Sequence, residues 1–453
     1  MKKFFVLGFG RSGRAVAQLL AQQGRSVHVY DDEIAALEWS LDNTALDGAE
    51  DFISHAEAAT VEQSLLECDC LVVSPGVPLD HPLVAKAREN NLEVTGELEV
   101  AYQIFSATFD ASIVGVTGTN GKSTVVNLLG DILTAGGRRN VVAGNIGTPF
   151  SEVVAEEESF DVVVLEISSF QLDTISEFKS DVAVLLNVTA DHLDRYQESI
   201  DNYAASKARI LSGMGKDGTF VYNAEDETCR RIAESFPGRK IPFSSAKDLD
   251  EGAFRKGDTI YRSHDGIDES VMPVADFKPV GVHNLENALA AVATATAFGL
   301  DVPSIRKGLL EYRPLPHRME LTRVINGVAY INDSKATNVD ATIKSVRSID
   351  GDLVLIMGGQ DKSGDFMVLR NHLTHVKQVI LIGEAREKIR AALKGSCELV
   401  DARTMREAVE RAGRTTVAGD TVLLAPACAS FDMFKNYTER GECFRDEVAS
   451  LEK

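Results

Sequence analysis

Ala111-Ser-Ile-Val-Gly-Val-Thr-Gly-Thr-Asn-Gly-Lys-Ser-Thr124 is the stretch on which the fold turns. Ile113 to Val116 reads as a short buried strand, Gly118 and Gly121 punctuate a turn, and Lys122-Ser123-Thr124 opens an apolar-periodic helix, Val125 to Leu133. Strand, glycine loop, lysine, hydroxyl and helix make a phosphate cradle. Backbone N–H groups and the helix dipole face anionic oxygens, the lysine reaches the β/γ oxygens, and a hydroxyl ligates Mg²⁺. The tight unit is Gly118-Thr119-Asn120-Gly121-Lys122-Ser123; counted from Gly115, the spacing is one residue longer than the generic pattern. An ordinary glycine-rich βα turn is the alternative reading.

A chain of 453 residues calls for two or three domains. Its formal charge of −21 argues against a nucleic-acid surface but leaves room for an anionic small substrate, which needs only a few N–H groups and local lysines. No apolar run approaches the ~20 residues that span a bilayer, and the N-terminal run stops at Leu7 in a glycine loop, so a cytoplasmic protein is expected. The cysteines at 68, 70, 229, 397, 428 and 443 suggest neither a zinc site nor a disulfide framework and read as small buried hydrophobes.

Outward from the phosphate loop, the chain alternates strands and helices. Lys2 to Leu7 is a strand, Gly8-Phe-Gly10-Arg-Ser-Gly13 a glycine turn, residues 14–23 a helix, and Ser26 to Tyr30 a strand ending in Asp31-Asp32. This is a dinucleotide-type βαβ unit, with a purely structural glycine turn as the alternative. A strand from Cys68 ends in Ser74-Pro75-Gly76, at the same sheet edge. In the middle of the chain, Phe160 to Glu166 is a strand ending in a carboxylate, the usual Mg²⁺-holding partner of a phosphate loop. Asp181 to Val188 leads into Asp191-His192-Leu-Asp194, where His192 is a metal or substrate candidate. On the helix 199–211 the apolar stripe falls at 200, 203, 204, 208 and 211, and Lys207 occupies the missing buried position. Snorkelling of that lysine is the plain reading.

Residues 216–280 read as antiparallel β structure. Val282-His283-Asn284 reads as the cap of a helix Glu286 to Phe298, and the proline-bearing stretch Pro303 to Pro316 as a linker and candidate hinge. Strands at 328–332, 353–357, 378–382, 397–400 and 421–425, with helices between, make a second doubly wound unit. Its loops Asn332 to Asn338, Gly358 to Lys362 and Pro426 to Ser430 suggest one small-molecule pocket facing the phosphate site.

With these pieces placed, the chain resembles the Mur ligases over essentially its whole length. The motifs that carry the resemblance are Gly118 to Thr124, Gly144-Asn-Ile-Gly147, Leu165 to Leu172, Asn187 to Tyr196, His283 to Asn287, Leu315-Pro-His-Arg318, Ile331 to Asn338 and Pro426 to Ser430. The loop Asn332 to Asn338 and the Gly8 turn favour the D-glutamate-adding branch. The resemblance implies an α/β protein of three domains: Rossmann-like (1–107) for the UDP end, a P-loop ATPase centre (108–310), and Rossmann-like again (311–453) for the amino acid. It implies a monomer whose substrates are UDP-N-acetylmuramoyl-L-alanine, D-glutamate and ATP. The alanyl carboxylate becomes an acyl phosphate, which the D-glutamate amine attacks. ATP would lie on Gly118, Thr119, Asn120, Gly121, Lys122, Ser123 and Thr124, and on Asn284, Asn287, Arg318 and Asp333. Two Mg²⁺ sites would draw on Ser123, Glu166, His192 and a Lys207 carbamylated by CO₂, with Lys122, His192 and Lys207 catalytic. Gly10, Arg11, Ser12, Asp31, Asp32, Ser74, Pro75 and Gly76 would hold the UDP end, and Asn145 would touch substrate near the metals. Lys335, Thr337, Lys362, Ser430, Phe431 and Tyr437 would surround D-glutamate.

Rival readings are a nicotinamide-dependent oxidoreductase resting on the Gly8 turn and Asp31, a non-catalytic nucleotide-gated binding protein, another Mur ligase, and a folylpolyglutamate synthase-like ligase. The first leaves Lys122 unexplained. The last lacks an N-terminal nucleotide-sugar domain.

Overall fold

Three sheets, each built around parallel strands, follow one another along the chain in a computed structural model that describes residues 2–32, 52–156, 158–279 and 281–451. The first contains Lys3–Leu7 (β1), Ser26–Tyr30 (β2), Ile53–His55 (β3), Cys70–Val73 (β4) and Glu93–Gly96 (β5), all parallel, in the order β3-β2-β1-β4-β5. The order reverses between β1 and β4, which opens a ligand crevice where the Gly8 and Ser74 loops lie side by side. The first helix begins at Arg11, three residues earlier than expected, directly on the glycine turn. Gly13 lets it close on the strand: a Cβ there would meet the Gly8 carbonyl oxygen at 2.0 Å.

The central sheet has nine strands: Ser112–Thr117 (β6), Asn140–Gly144 (β7), Val162–Glu166 (β8), Val182–Leu185 (β9), Thr219–Asn223 (β10), Arg239–Ser244 (β11), Gly252–Lys256 (β12), Thr259–His264 (β13) and Ile267–Pro273 (β14). They run β14-β13-β12-β11-β10-β9-β6-β8-β7. The expected antiparallel region at 216–280 is only half antiparallel. β10 and β11 continue the parallel sheet from β9, joined by the crossover helix Glu227–Ser235 that parallel neighbours require, and the antiparallel ladder is confined to β12–β14.

Two helices pack over this sheet differently from the sequence reading. Val282, His283 and Asn284 lie inside the helix Val282–Ala297, whose cap is Gly281 at φ +100°. The stretch from Pro303 is not a linker: Val302–Glu311 is a helix with its proline in the first turn, where no N–H partner is lost, and Asp301 caps the Ser304 N–H at 3.0 Å. It packs on Lys122–Ala135 so closely that a Cβ on Gly308 would sit 2.5 Å from the Ile132 Cα. The proline-bearing connection shrinks to 312–319.

The third sheet holds Glu320–Ile325 (β15), Val328–Asn332 (β16), Leu353–Gly358 (β17), Val376–Ile382 (β18), Glu398–Asp401 (β19) and Thr421–Leu424 (β20) in the order β15-β16-β20-β17-β18-β19. Only β15 is antiparallel, and it escapes a pattern reading because Leu321 and Val324 point to solvent. The helix Glu97–Thr108 joins the first two sheets. Leu98, Ala101, Tyr102 and Phe105 pack into the core of the central sheet, and the buried Glu99 carboxylate accepts the N–H groups of Ser176, Glu177 and Phe178 at 2.9–3.0 Å. The described cysteines are all free, with 68, 70, 229 and 428 buried.

Candidate active site

The phosphate loop follows β6 as expected. Gly118 and Gly121 hold φ of +152° and +93°, which L side chains avoid, and Gly121 precedes the helix with no side-chain cap, so the first-turn N–H groups stay available to an anion. Lys122 Nζ folds back on its own loop, donating to the carbonyls of Gly118 at 2.8 Å and Thr119 at 2.9 Å. Burial pushes its pKa down, while the Glu166 and Asp191 carboxylates pull it back up. An arriving phosphate supplies the counter-charge this ammonium lacks.

Glu166, His192 and Lys207 line one cavity with Lys122, Ser123 and Asn145. Glu166 ends β8 and is 1% exposed. Its Oε1 accepts from Asn145 Nδ2 at 3.1 Å, and its Oε2 is buried with no hydrogen-bond partner among the described residues. Gly144 makes that approach possible at φ +110°, since a Cβ would meet the Glu166 carbonyl oxygen at 2.3 Å. His192 sits at φ +52°, edge-on to Phe170 at 5.2 Å. Burial lowers its pKa to about 4, so the imidazole is neutral at pH 7 and able to bind a cation. Lys207 is buried as the helical stripe requires, with Nζ donating to Gly118 O at 2.9 Å and 4.3 Å from the centre of the Tyr203 ring. Burial first, then the neighbouring Lys122, holds its pKa well below the usual lysine range. Snorkelling is therefore excluded. Among the described residues no three His, Cys, Asp or Glu side chains converge as a metal cage. The cavity thus offers one orphaned carboxylate oxygen and one neutral imidazole. An anionic group on Lys207 would supply the missing oxygen donor, and on that condition the residues fit Mg²⁺.

A second cavity lies against the phosphate loop between the helix Val282–Ala297 and the third sheet. It brings together Asn120, Gly121 and Thr124 with all four outlying nucleotide residues expected from sequence: Asn284, Asn287, Arg318 and Asp333. Asn287 is pressed so close that a Cβ on Gly121 would fall 2.2 Å from its Oδ1. Arg318 Nη2 donates to Ser123 Oγ at 3.0 Å, and burial raises the pKa of Asp333, whose Oδ2 accepts from Ser345.

The acceptor residues are only partly assembled. Lys335 and Thr337 line the metal-side cavity. The Lys335 ammonium lies 3.9 Å from the centre of the Tyr437 ring, and burial, then Arg318, lowers its pKa to about 7. Lys362 donates to Asp191 Oδ1 at 2.8 Å. Ser430 and Phe431 do not line these cavities. Ser430 is buried in a turn, its carbonyl taking the N–H groups of Met433 and Phe434, and Phe431 is 68% exposed. Sequence reading passed over Asp191, Asn338 and Arg195. Asp191 holds Lys362 and accepts from Asn338 Nδ2 at 2.9 Å, and Arg195 donates to Val77 O at 3.0 Å, bridging the first two domains. Polar residues at three sheet edges were the available signal.

At the N-terminal crevice, Gly10, Arg11 and Ser12 form a helix start open to an anion. Asp31 is engaged structurally: its Oδ2 accepts the Phe9 N–H at 2.6 Å. Ser74 Oγ likewise donates to Gly8 O at 2.6 Å. Asp32 pairs with His81 at 3.1 Å, and Arg11 lies 3.7 Å from Glu152. Pro75 lines the interdomain cleft with Ser74 and Arg195, and Gly76 follows it in the same loop.

Three family models match the chain in order: a Mur ligase MurD-like N-terminal domain (residues 2–96), a Mur ligase middle domain (116–295) and a Mur ligase glutamate ligase domain (317–428). The UDP-N-acetylmuramoylalanine--D-glutamate ligase of Koribacter versatilis (strain Ellin345) is 41% identical, covering 99% of this chain and 98% of that one. The solved pseudomurein peptide ligase type C from Methanothermus fervidus superimposes with a TM-score of 0.63 at 18% identity, covering 100% of both chains. The MurF ligase from Thermotoga maritima, solved in complex with ADP, gives 0.61 at 15% identity over 99% of this chain and 96% of that one. With three successive domain models and a curated relative matched end to end, the chain belongs to the ATP-dependent Mur ligase family.

Proposed function

We propose that this chain is the ligase that joins D-glutamate to UDP-N-acetylmuramoyl-L-alanine, with ATP cleaved to ADP and phosphate, in peptidoglycan precursor synthesis. The observation that carries this reading is the meeting of Lys122, Arg318 and Lys335 around one cavity between the second and third domains. Three basic side chains there suit a phosphoryl group passing from nucleotide to carboxylate, a reaction that needs positioning and charge neutralisation above all. A carboxylate is a poor electrophile until one of its oxygens is phosphorylated. Lys122 neutralises the migrating group, and Arg318 exchanges the Ser123 hydroxyl for a phosphate oxygen. Lys335, Thr337 and Lys362 orient the acceptor, whose ammonium must lose a proton before its nitrogen attacks. Glu166, His192 and a carbamylated Lys207 would hold one Mg²⁺ and Ser123 another, each supplying charge neutralisation at phosphate oxygens. The carbamate forms when the neutral Lys207 amine adds to CO₂ and releases a proton.

We assign residues 1–107 to the UDP end, 108–310 to ATP and 311–453 to the amino acid. No helix among the described residues is long and apolar enough to cross a membrane. We assign the chain as a cytoplasmic monomer, a reading supported by two cavities lined by the residues of one chain. Lys335 and Lys362 bind the two acceptor carboxylates at a fixed spacing. With both carboxylates fixed, only one enantiomer aims its amine at the acyl phosphate, so phosphate release in the presence of UDP-N-acetylmuramoyl-L-alanine should respond to D-glutamate and not to L-glutamate. Equal rates with both enantiomers, or preference for a diamino acid, would overturn the assignment.

A further inference from the structure

Two hydrogen-bonded contacts between the third domain and the phosphate loop bear on the site. One is Arg318 on Ser123. The other is the start of the helix Val339–Arg347, where Asp340 lies in the first turn and Asn338 is the cap. Asp340 Oδ2 accepts from Asn120 Nδ2 at 2.8 Å and from Thr189 Oγ1 at 3.2 Å, and pairs with Lys344 Nζ at 3.0 Å. Asn338 Nδ2 donates to Asn120 Oδ1 at 3.2 Å, so the amide of Asn120 is held at both ends by one helix terminus. The backbone of Asn120 is itself fixed. Its N–H donates to Asn187 Oδ1 at 2.8 Å, and its carbonyl accepts from Asn187 Nδ2 at 3.0 Å. Thr189 is tied to the same loop, its N–H donating to Thr119 Oγ1 at 3.0 Å. One carboxylate oxygen therefore gathers the phosphate loop and the segment leading to His192. Asp340 lines neither the nucleotide cavity nor the metal-side cavity, although its neighbours Ala341 and Asn338 do.

We propose that Asp340 is a positioning residue, a latch that docks the third domain on Asn120 and thereby carries Lys335, Thr337 and Lys362 to the reacting carboxylate. The latch rests on the ligase reading above. Its bond to Asn120 is charge-assisted and joins the domains alongside the Asn338 and Lys362 contacts to Asp191. Without it the docked arrangement is less populated. The apparent affinity of a ligand that needs docking falls by that fraction, while a ligand held by the first two domains is unaffected.

Asp340→Ala is expected to raise the KM for D-glutamate on the order of 10-fold, with the KM for the UDP-linked substrate within about twofold and the melting temperature near that of the unsubstituted protein. Asp340→Asn keeps an acceptor oxygen for Asn120 but loses the charge, and should fall between the alanine variant and the unsubstituted protein. Small-angle scattering of the ligand-free proteins should give a larger radius of gyration for Asp340→Ala. An equal rise in both KM values, an asparagine variant as impaired as the alanine one, or unchanged KM with identical scattering would each overturn the latch. If the unsubstituted protein releases no phosphate in response to D-glutamate, the ligase reading fails instead. The scattering comparison then decides the latch alone: a larger radius supports it and an unchanged one removes it.

Discussion

Lys207→Ala is expected to be nearly inactive and to regain part of its turnover when small carboxylates such as acetate are added. The lysine is buried beside Lys122, with its nitrogen on a backbone carbonyl and no acidic hydrogen-bond partner. An ammonium there would repel a divalent cation. A carbamate would attract one and provide the oxygen donors that Glu166 and His192 alone do not complete. Burial favours the neutral amine, and only the neutral amine adds to CO₂, so the site promotes the modification it needs. A high-resolution crystal structure at neutral pH should show a carbon and two oxygens beyond Nζ. Lys207→Arg is the sharper test, because arginine keeps its positive charge and forms no carbamate. Full activity in that variant would sink the proposal.

Lys122→Ala should lower turnover by ~10² to 10³, about 3 kcal/mol of transition-state stabilisation, and leave the dissociation constant of the UDP-linked substrate almost unchanged. In the free protein this ammonium is satisfied only by carbonyls of its own loop, at 2.8 and 2.9 Å. The Glu166 and Asp191 carboxylates act on it without hydrogen-bonding it, and a directly bonded anion would come with the phosphate, so its contribution is expected on the chemical step and on ATP rather than on the UDP end. Stopped-flow turnover and calorimetric binding separate the two. A variant with near-normal turnover would take Lys122 out of the mechanism.

The phosphate loop, Glu166, His192 and Lys207 were readable because each is a local pattern: a strand with a chemically marked end, or a helix stripe with one residue out of place. The nucleotide residues Asn284, Asn287, Arg318 and Asp333 came from the resemblance, and the fold places all four on one cavity. The errors have physical causes. Strand direction in 219–244 is set by the crossover helix Glu227–Ser235, whose polar face hid it. Pro303 reads as a breaker but stands where a helix tolerates proline. The Asp31 carboxylate, at the distance expected of a ribose ligand, also accepts the Phe9 N–H on its Oδ2, a contact that periodicity does not reveal. The acceptor pocket was least legible, since Ser430 and Phe431 are aimed by a turn and not by a strand.

The helix Val282–Ala297 acts as a spacer of fixed thickness. Ala288, Ala290, Ala291, Ala293 and Ala295 are fully buried and pack it against the helix Lys122–Ala135 on one side and the central strands on the other. These methyl groups sit among the longer buried side chains of Leu289, Val292, Leu128 and Ile132, so small and large residues together set the separation of the two helices. Asn284 and Asn287 ride on the first turns of that helix. The width of the cleft expected to hold nucleotide is thus tied to buried side chains such as Ala293 and Ala295, more than a turn beyond Asn287, and adding a carbon there would strain cleft and core together.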